Sequence, residues 1–281
     1  MRIKICADST CDLSSELLRE NDIAMEPLHI QMGGGFYKDG VEITPEQIYA
    51  HVDGGGDLCT TTAINAEEYR ALFARFARDY DAVVHITISA DFSSCYQNAC
   101  MAARDFSNVY VIDSRNLSTG HGLVVMKACE LAKTAADIET FCNTLIDLTG
   151  KVEASFLLSR LDYMVKGGRC SSVAALGANL LHLRPCIEVV DGKMKVVKKY
   201  RGSMEKCLAN YVKDRLDGRM EHLDEEMIFI THTKTEPSCH QAVRDGVAQY
   251  GSFQRVFETT AGCTVTCHCG PGTIGVLFIR K

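Results

Sequence analysis

The chain alternates short apolar runs with segments of helical spacing, and that rhythm predicts its elements. Residues 2–7 read as a strand, Ser14 to Asn21 as a helix, 24–32 as extended pieces, and Gly33 to Gly35 as a turn. "TPEQIYAHV" is a short helix, with Thr44 as N-cap, Pro45 in the first position and Gln47 placed to close a capping box. The loop "DGGGDLCTTTAIN" leads to the helix "AEEYRALFARFARDY". The β-branched run "VVHITIS" stops at Ser89, and an Ala-rich helical pattern follows it. "NVYVIDS" reads as a strand, "STGHGLVVMKACELAKTA" as a loop entering a helix, and "ADIETFCNTLIDLTGKV" as an amphipathic helix. Strands alternating with helices up to about residue 150 predict a parallel sheet covered on both faces.

The second half has another texture. "CIEVVDGKMKVVKKYRG" is two alternating runs around Asp191-Gly192, a hairpin signal. A helix near 203–217, the strand "EMIFITHT", a helix from about 236 to 249 and the closing strand "IGVLFIRK" follow. Strand pairs with helices suggest a mixed-sheet α+β unit. The expectation is therefore α/β with two domains, 1–150 and 151–281, each with its own core, although no Pro- or Ser-rich linker marks the boundary.

Composition narrows the classes. The net charge of -6, without a basic stripe carrying interleaved aromatics, argues against a nucleic-acid groove. No signal-peptide pattern opens the chain and no apolar run reaches the roughly 20 residues of a spanning helix, so a cytoplasmic, soluble protein is expected. The 14 Cys are scattered and read as buried thiols rather than disulfides. In "CTVTCHCGPG", Cys263, Cys267, His268 and Cys269 supply at most one edge of a zinc tetrahedron, which only Cys239 and His240 could complete from afar. That segment reads instead as strand-end thiols, and no metal is expected. His29, His85, His121 and His232 have no assigned partner and read as structural.

Candidate chemistry lies where strands give way to helices. Ser93 and Ser94 stand at one such turn and Thr60 to Thr62 precede another helix. Hydroxyls and unpaired N–H groups at a helix start suit a small anion, and two such turns could converge on one. Asp8-Ser9-Thr10 and Asp113-Ser114 lie on the same predicted side, beyond the carboxyl ends of the strands, where ligands of such sheets sit. Ser93 and Thr61 also have plain readings as helix caps. Gly167 and Gly168 read as a helix C-cap followed by a solvated Arg169, and Arg201 as the polar end of a hairpin strand. Asp8 and Asp113 read as loop-shaping acceptors.

Four segments carry a resemblance to a known family. "ADSTCDLSSELL", "SADFSSCYQNA", the stretch from Leu161 to Gly202 and "HCGPGTIGV" are similar, in order, to motifs of the DegV proteins, bacterial lipid-binding proteins of two-domain α/β fold. "TTAIN" departs from the family's Thr-Ser-Gln-Pro-Ser motif at Ala63 and Ile64 but keeps Thr61 and a hydroxyl at Thr62. The resemblance implies one long-chain fatty acid held between the domains, with Thr61 and Ser93 on its carboxylate and His268 close by. Thr62 and Ser94 would support that head-group loop. Arg169 and Arg201 become candidates for the pocket mouth or a partner-facing surface, where a guanidinium suits phosphate. It further implies an acyl-binding subunit without a catalytic centre or cofactor, whose bound carboxylate a separate fatty-acid kinase protein phosphorylates. Any membrane contact would be transient.

Two other classes stand beside this one. A serine-dependent lipid hydrolase or acyltransferase would use Ser93, His268 and Asp8 or Asp113, but the G-x-S-x-G elbow is absent. A nucleotide-binding module is suggested by "GPGTIG", yet neither G-x-G-x-x-G nor a Walker pattern follows a strand and opens a helix.

Overall fold

The β-branched runs of the first half pair side by side, and long crossovers carry the chain between them. A computed structural model describes residues 1–175 and 183–281. Residues 176–182, inside the long stretch similar to the family signature, lie outside the described residues. The chain begins with β1 (Ile3–Asp8), α1 (Ser15–Glu20), β2 (Ala24–Glu26), β3 (His29–Met32), β4 (Gly35–Lys38) and α2 (Pro45–Asp53). It continues through β5 (Thr60–Thr62), α3 (Ala66–Phe76), β6 (Ala82–Thr87), α4 (Cys95–Ala103), β7 (Val109–Asp113), α5 (Ser118–Ala132) and α6 (Ile138–Thr149). Strands β2, β1, β6 and β7 form a sheet in that order, every pair parallel. β6 is buried along its whole length, the mark of a strand covered on both faces. The predicted cap at Thr44 forms, its N–H donating to Gln47 Oε1 at 2.8 Å, and Ser14 proves to be a cap as well, accepting the Leu17 N–H at 3.3 Å.

Thr60 to Thr62, expected as part of a loop, is instead the strand β5. Consecutive β-branched residues favour extended backbone, and β5 pairs antiparallel with β3, Thr61 opposite Ile30. With β4 these strands make a separate three-stranded sheet, turned at Gly33 and Gly34, both at positive φ.

The second half comprises β8 (Val152–Leu157), α7 (Asp162–Gly167), α8 (Ser171–Ala174), β9 (Leu183–Val190), β10 (Lys193–Arg201) and α9 (Met204–Leu216). β11 (Leu223–His232), α10 (Pro237–Tyr250), β12 (Arg255–Thr260), α11 (Cys263–Cys269) and β13 (Ile274–Arg280) complete it. Its mixed sheet has the order β10-β9-β8-β13-β11-β12, in which β11 and β12 run parallel. Asp191 and Gly192 turn the β9–β10 hairpin with φ of 52° and 80°, as a two-residue turn demands. The helix expected through residue 152 stops at Thr149, and β8 and β12 add strands not expected from periodicity. Helix α5 is buried over most of its circumference and packs against both large sheets. One cluster runs from Ile5 and Val84 through Leu123 and Val125 to Phe229 and Leu277.

The segment expected to be strand-end thiols is the helix α11, and buried carboxylates from the first half hold its start. Asp39 accepts the N–H groups of Cys263 (2.8 Å) and Thr264 (3.1 Å) and the Thr264 hydroxyl (2.7 Å). Asp12 Oδ1 accepts the Gly262 N–H at 2.9 Å, and its Oδ2 lies 2.6 Å from Ser118 Oγ. These bonds satisfy donors that a helix start leaves open. All 14 Cys are thiols, buried except for the half-buried Cys100 and Cys142.

Burial raises the Asp12 pKa from an ordinary 3.8 to about 7, against the opposing pull of the Ser118 and Gly262 hydrogen bonds. Between those values the folded chain keeps a proton that the unfolded chain has released. Stability therefore falls as pH rises through this window. Urea unfolding at pH 5 and pH 8 should show the protein losing on the order of 2–4 kcal/mol relative to Asp12→Asn. Parallel pH profiles for the two proteins would contradict the burial argument.

Candidate functional site

Hydroxyls from a strand and a turn of the first half and an imidazole from the second meet at one cavity. The pairing of β5 with β3 fixes Thr61, the turn after β6 supplies Ser93, and the last turn of α11 carries His268. All three line a cavity of about 220 Å³, together with Thr62, Ser94 and Arg169. Leu28, Ile88, Leu117, Met164, Met194 and Val265 make its apolar wall. A narrow crevice of about 20 Å³ shares Leu117, Val265 and Cys269 with it and continues toward Phe156 and Leu277. Arg201 is exposed at the end of β10 and is not among the cavity-lining residues, so the structure groups Arg169 but not Arg201 with the hydroxyls.

Thr61 Oγ1 and His268 Nε2 are 2.9 Å apart. Burial first, and the Arg169 charge second, lower the His268 pKa to about 4, so the ring is neutral at pH 7 with a single N–H. Placed on Nε2, that proton goes to Thr61 in the empty site and can turn to an incoming anion, while the threonine O–H stays free to donate into the cavity. Placed on Nδ1, it would leave Thr61 to donate to the ring, and Nδ1 has no partner among the described residues. The first arrangement fits a cavity that receives an anion.

Ser93 is not the N-cap; Ser94 occupies that position, without a side-chain capping bond. Ser93 Oγ accepts the Cys95 N–H at 3.3 Å and donates to Cys95 Sγ at 3.1 Å. A thiol is a weak acceptor, so a stronger one competes readily for that hydroxyl. The cap of α3 is Asn65, which accepts from Glu67 and Glu68, so Thr61 has no capping duty there. Gly168, with φ of 67°, ends α7 as expected. Arg169 then turns back, its Nε donating to the Phe92 carbonyl (3.3 Å) and its Nη1 to the Gly167 carbonyl (2.6 Å). It also borders an outer groove with Lys193 and Lys195.

The carboxylates of a hydrolytic triad are engaged elsewhere. Asp8 is fully buried and accepts from Tyr69 (2.7 Å), His85 (2.9 Å) and the Ile88 N–H (3.0 Å). Asp113 Oδ1 accepts the N–H groups of Ala90 and Arg115 at 3.2 and 2.8 Å. Among the described residues, His268 Nδ1 thus lacks the orienting acid that a serine nucleophile's base requires. In "GPGTIG", a Cβ on Gly270 would stand 2.6 Å from the Tyr163 ring and one on Gly272 2.6 Å from Ser159, so these glycines permit close packing. They lead into β13 and open no helix. His121 Nε2 donates to the Ile86 carbonyl at 2.9 Å, and His29 Nε2 faces Glu68 at 3.0 Å.

Sequence reading took Gly167 for part of a helix C-cap and missed that the imidazole packs against it. A Cβ there would lie 2.2 Å from His268 Nδ1. Gly167→Ala should displace the ring and cost about 1–3 kcal/mol of stability. In an NMR titration, His268 should stay neutral down to about pH 4 in the parent protein and titrate at higher pH in the variant. A parent midpoint near that of an exposed histidine would contradict the enclosed geometry.

Comparison with known proteins agrees with this architecture. Residues 2–281 match the family described as "Uncharacterised protein, DegV family". A DegV domain-containing protein of Clostridium acetobutylicum is 31% identical over 284 residues, covering 100% of this chain and 99% of the relative. A fatty acid-binding protein of Thermotoga maritima is 27% identical over 290 residues, covering 98% and 96%. A solved structure of a fatty-acid-binding DegV family protein from Thermus thermophilus superposes with a TM-score of 0.88 at 25% identity, covering 100% of both chains. A DegV lipid-binding protein from Thermotoga maritima gives 0.87 at 26%, again over 100% of both. The chain belongs to the DegV family.

Proposed function

We propose that this protein binds one long-chain fatty acid in the cavity, with the carboxylate on Thr61, Ser93 and His268, and presents that carboxylate to a separate kinase for acyl-phosphate formation. The observation that carries the reading is one cavity with hydroxyls, a neutral imidazole and Arg169 on its polar side and aliphatic and methionine side chains on its wall. Fatty-acid binding by the Thermus and Thermotoga relatives supports it. A buried carboxylate must be hydrogen-bonded, and the hydroxyls supply charge-assisted bonds. Its charge beside His268 would raise the imidazole pKa from the low value of the free site.

The acyl tail needs more room than about 220 Å³, since sites for ligands of that size commonly span ~300–1,000 Å³. The tail enters the crevice beyond Leu117 and Val265 and widens it. Met164 and Met194 suit that movement, because unbranched thioethers repack readily. Burying each methylene contributes about 0.8 kcal/mol, which more than offsets imperfect solvation of the head group. The phosphate chemistry falls to the partner. The chain has no phosphate-cradling sequence motif, and Arg169 with Lys193 and Lys195 gives the pocket mouth a basic rim for an acidic kinase surface or the transferred phosphate. The protein is then a carrier, and the hydrolase reading lacks its triad.

Thr61→Ala and Ser93→Ala should each weaken fatty-acid binding by about 1.5–3 kcal/mol, and the double variant by more. Isothermal titration on folded variants checks this, and unchanged affinity in the double variant would remove the head-group assignment. Arg169→Ala should impair phosphorylation by an added kinase more than it impairs binding, by a factor on the order of 10 or more. Assays at saturating lipid separate the effects. Normal phosphate transfer with poor binding would make Arg169 part of the pocket, and transfer from ATP by this chain alone would overturn the carrier reading.

A further inference from the structure

A second cluster lies where α10 crosses from β11 to its parallel neighbour β12. His232 ends β11, His240 stands near the start of α10, and Glu258 projects from β12. One ligand atom from each lies within 4.8 Å of the other two. His232 Nδ1 is 3.0 Å from the Thr233 carbonyl oxygen, which can only accept, so this nitrogen carries the proton. Its Nε2 then turns a lone pair toward Glu258 Oε1, 3.6 Å away. His240 Nδ1 reaches the same oxygen at 2.9 Å. Arg244 Nε donates to the other oxygen, Oε2, at 2.7 Å, which leaves Oε1 aimed between the rings.

We propose that His232 Nε2, His240 Nδ1 and Glu258 Oε1 form a binding site for a divalent transition-metal cation, with zinc the best match. Tetrahedral zinc with bonds of about 2.1 Å sets its ligand atoms roughly 3.4 Å apart. The observed 2.9 and 3.6 Å straddle that spacing, so small side-chain shifts admit the ion. Two imidazoles and a carboxylate suit zinc in donor type. The outer contacts have the expected form, with a backbone carbonyl fixing the His232 tautomer and a hydrogen bond orienting the ligating carboxylate. The Arg244 charge opposes a cation, but its side chain is half exposed (51%), where solvent attenuates the repulsion. β12 is the outer strand of its sheet, so an ion here would fasten that edge and α10 to the strand end that carries His232. His232 also lines the crevice beyond the main cavity, which places the metal site beside the deep end of the pocket.

Zinc titration of chelator-treated, reduced full-length protein tests this, with cobalt as a spectroscopic probe. The expected result is one equivalent bound, a raised unfolding temperature, and a cobalt spectrum without thiolate charge transfer. His240→Ala and Glu258→Gln, at sites flanked by solvent, should keep the parent circular dichroism and lower affinity more than tenfold. Absence of stoichiometric binding, unchanged affinity in both variants, or a thiolate charge-transfer band marking the cysteines as the ligands would overturn the proposal.

Discussion

Everything at the cavity depends on two buried carboxylates of the first half reaching across to the start of a helix in the second. Asp39 and Asp12 take N–H groups of Gly262, Cys263 and Thr264 that a short helix cannot satisfy itself. Seven residues are too few to be helical without such support. Because both carboxylates are buried, the bonds are protected from water and their loss would leave uncompensated polar groups. They set α11 in place, and the last turn of α11 carries His268 to Thr61.

The same economy of charge governs the cavity. A cationic group at the head-group position would hold a carboxylate strongly but would be costly to bury when the cavity is empty. Hydroxyls and a neutral imidazole avoid that cost, because each can bond to a neighbour in the absence of ligand. Thr61 and His268 do so with one another, and Ser93 does so with Cys95. The permanent charge, Arg169, stays at the rim, tied to the Phe92 and Gly167 carbonyls and open to solvent.

How far the sequence foretold this depends on how local each feature is. The parallel strands, the Asp191-Gly192 turn and the cap at Thr44 follow from neighbouring residues, and they were legible. Ser93 and the Thr60 to Thr62 cluster were legible as hydroxyls ahead of helices, while His268 drew its meaning from a family motif. Helix α11 was not legible, since Cys, Thr and Val favour extended backbone and the partners that make it helical lie more than 200 residues away. Thr60 to Thr62 hid a strand because its partner, β3, reads weakly by itself. Gly167 read only as part of a helix C-cap, because close approach of a ring from another element leaves no local pattern. The His232, His240 and Glu258 grouping likewise needs the crossover to assemble it.

The central claim is that hydroxyls and imidazole from both halves hold one carboxylate. A crystal structure of the protein with a bound long-chain fatty acid tests it most directly. The account predicts carboxylate oxygens within hydrogen-bonding distance of Thr61 Oγ1, Ser93 Oγ and His268 Nε2, with the chain running past Leu117 and Val265 into an opened crevice. A carboxylate lying outside the cavity, or a chain bound in the reverse direction with its methyl end at Thr61, would contradict it.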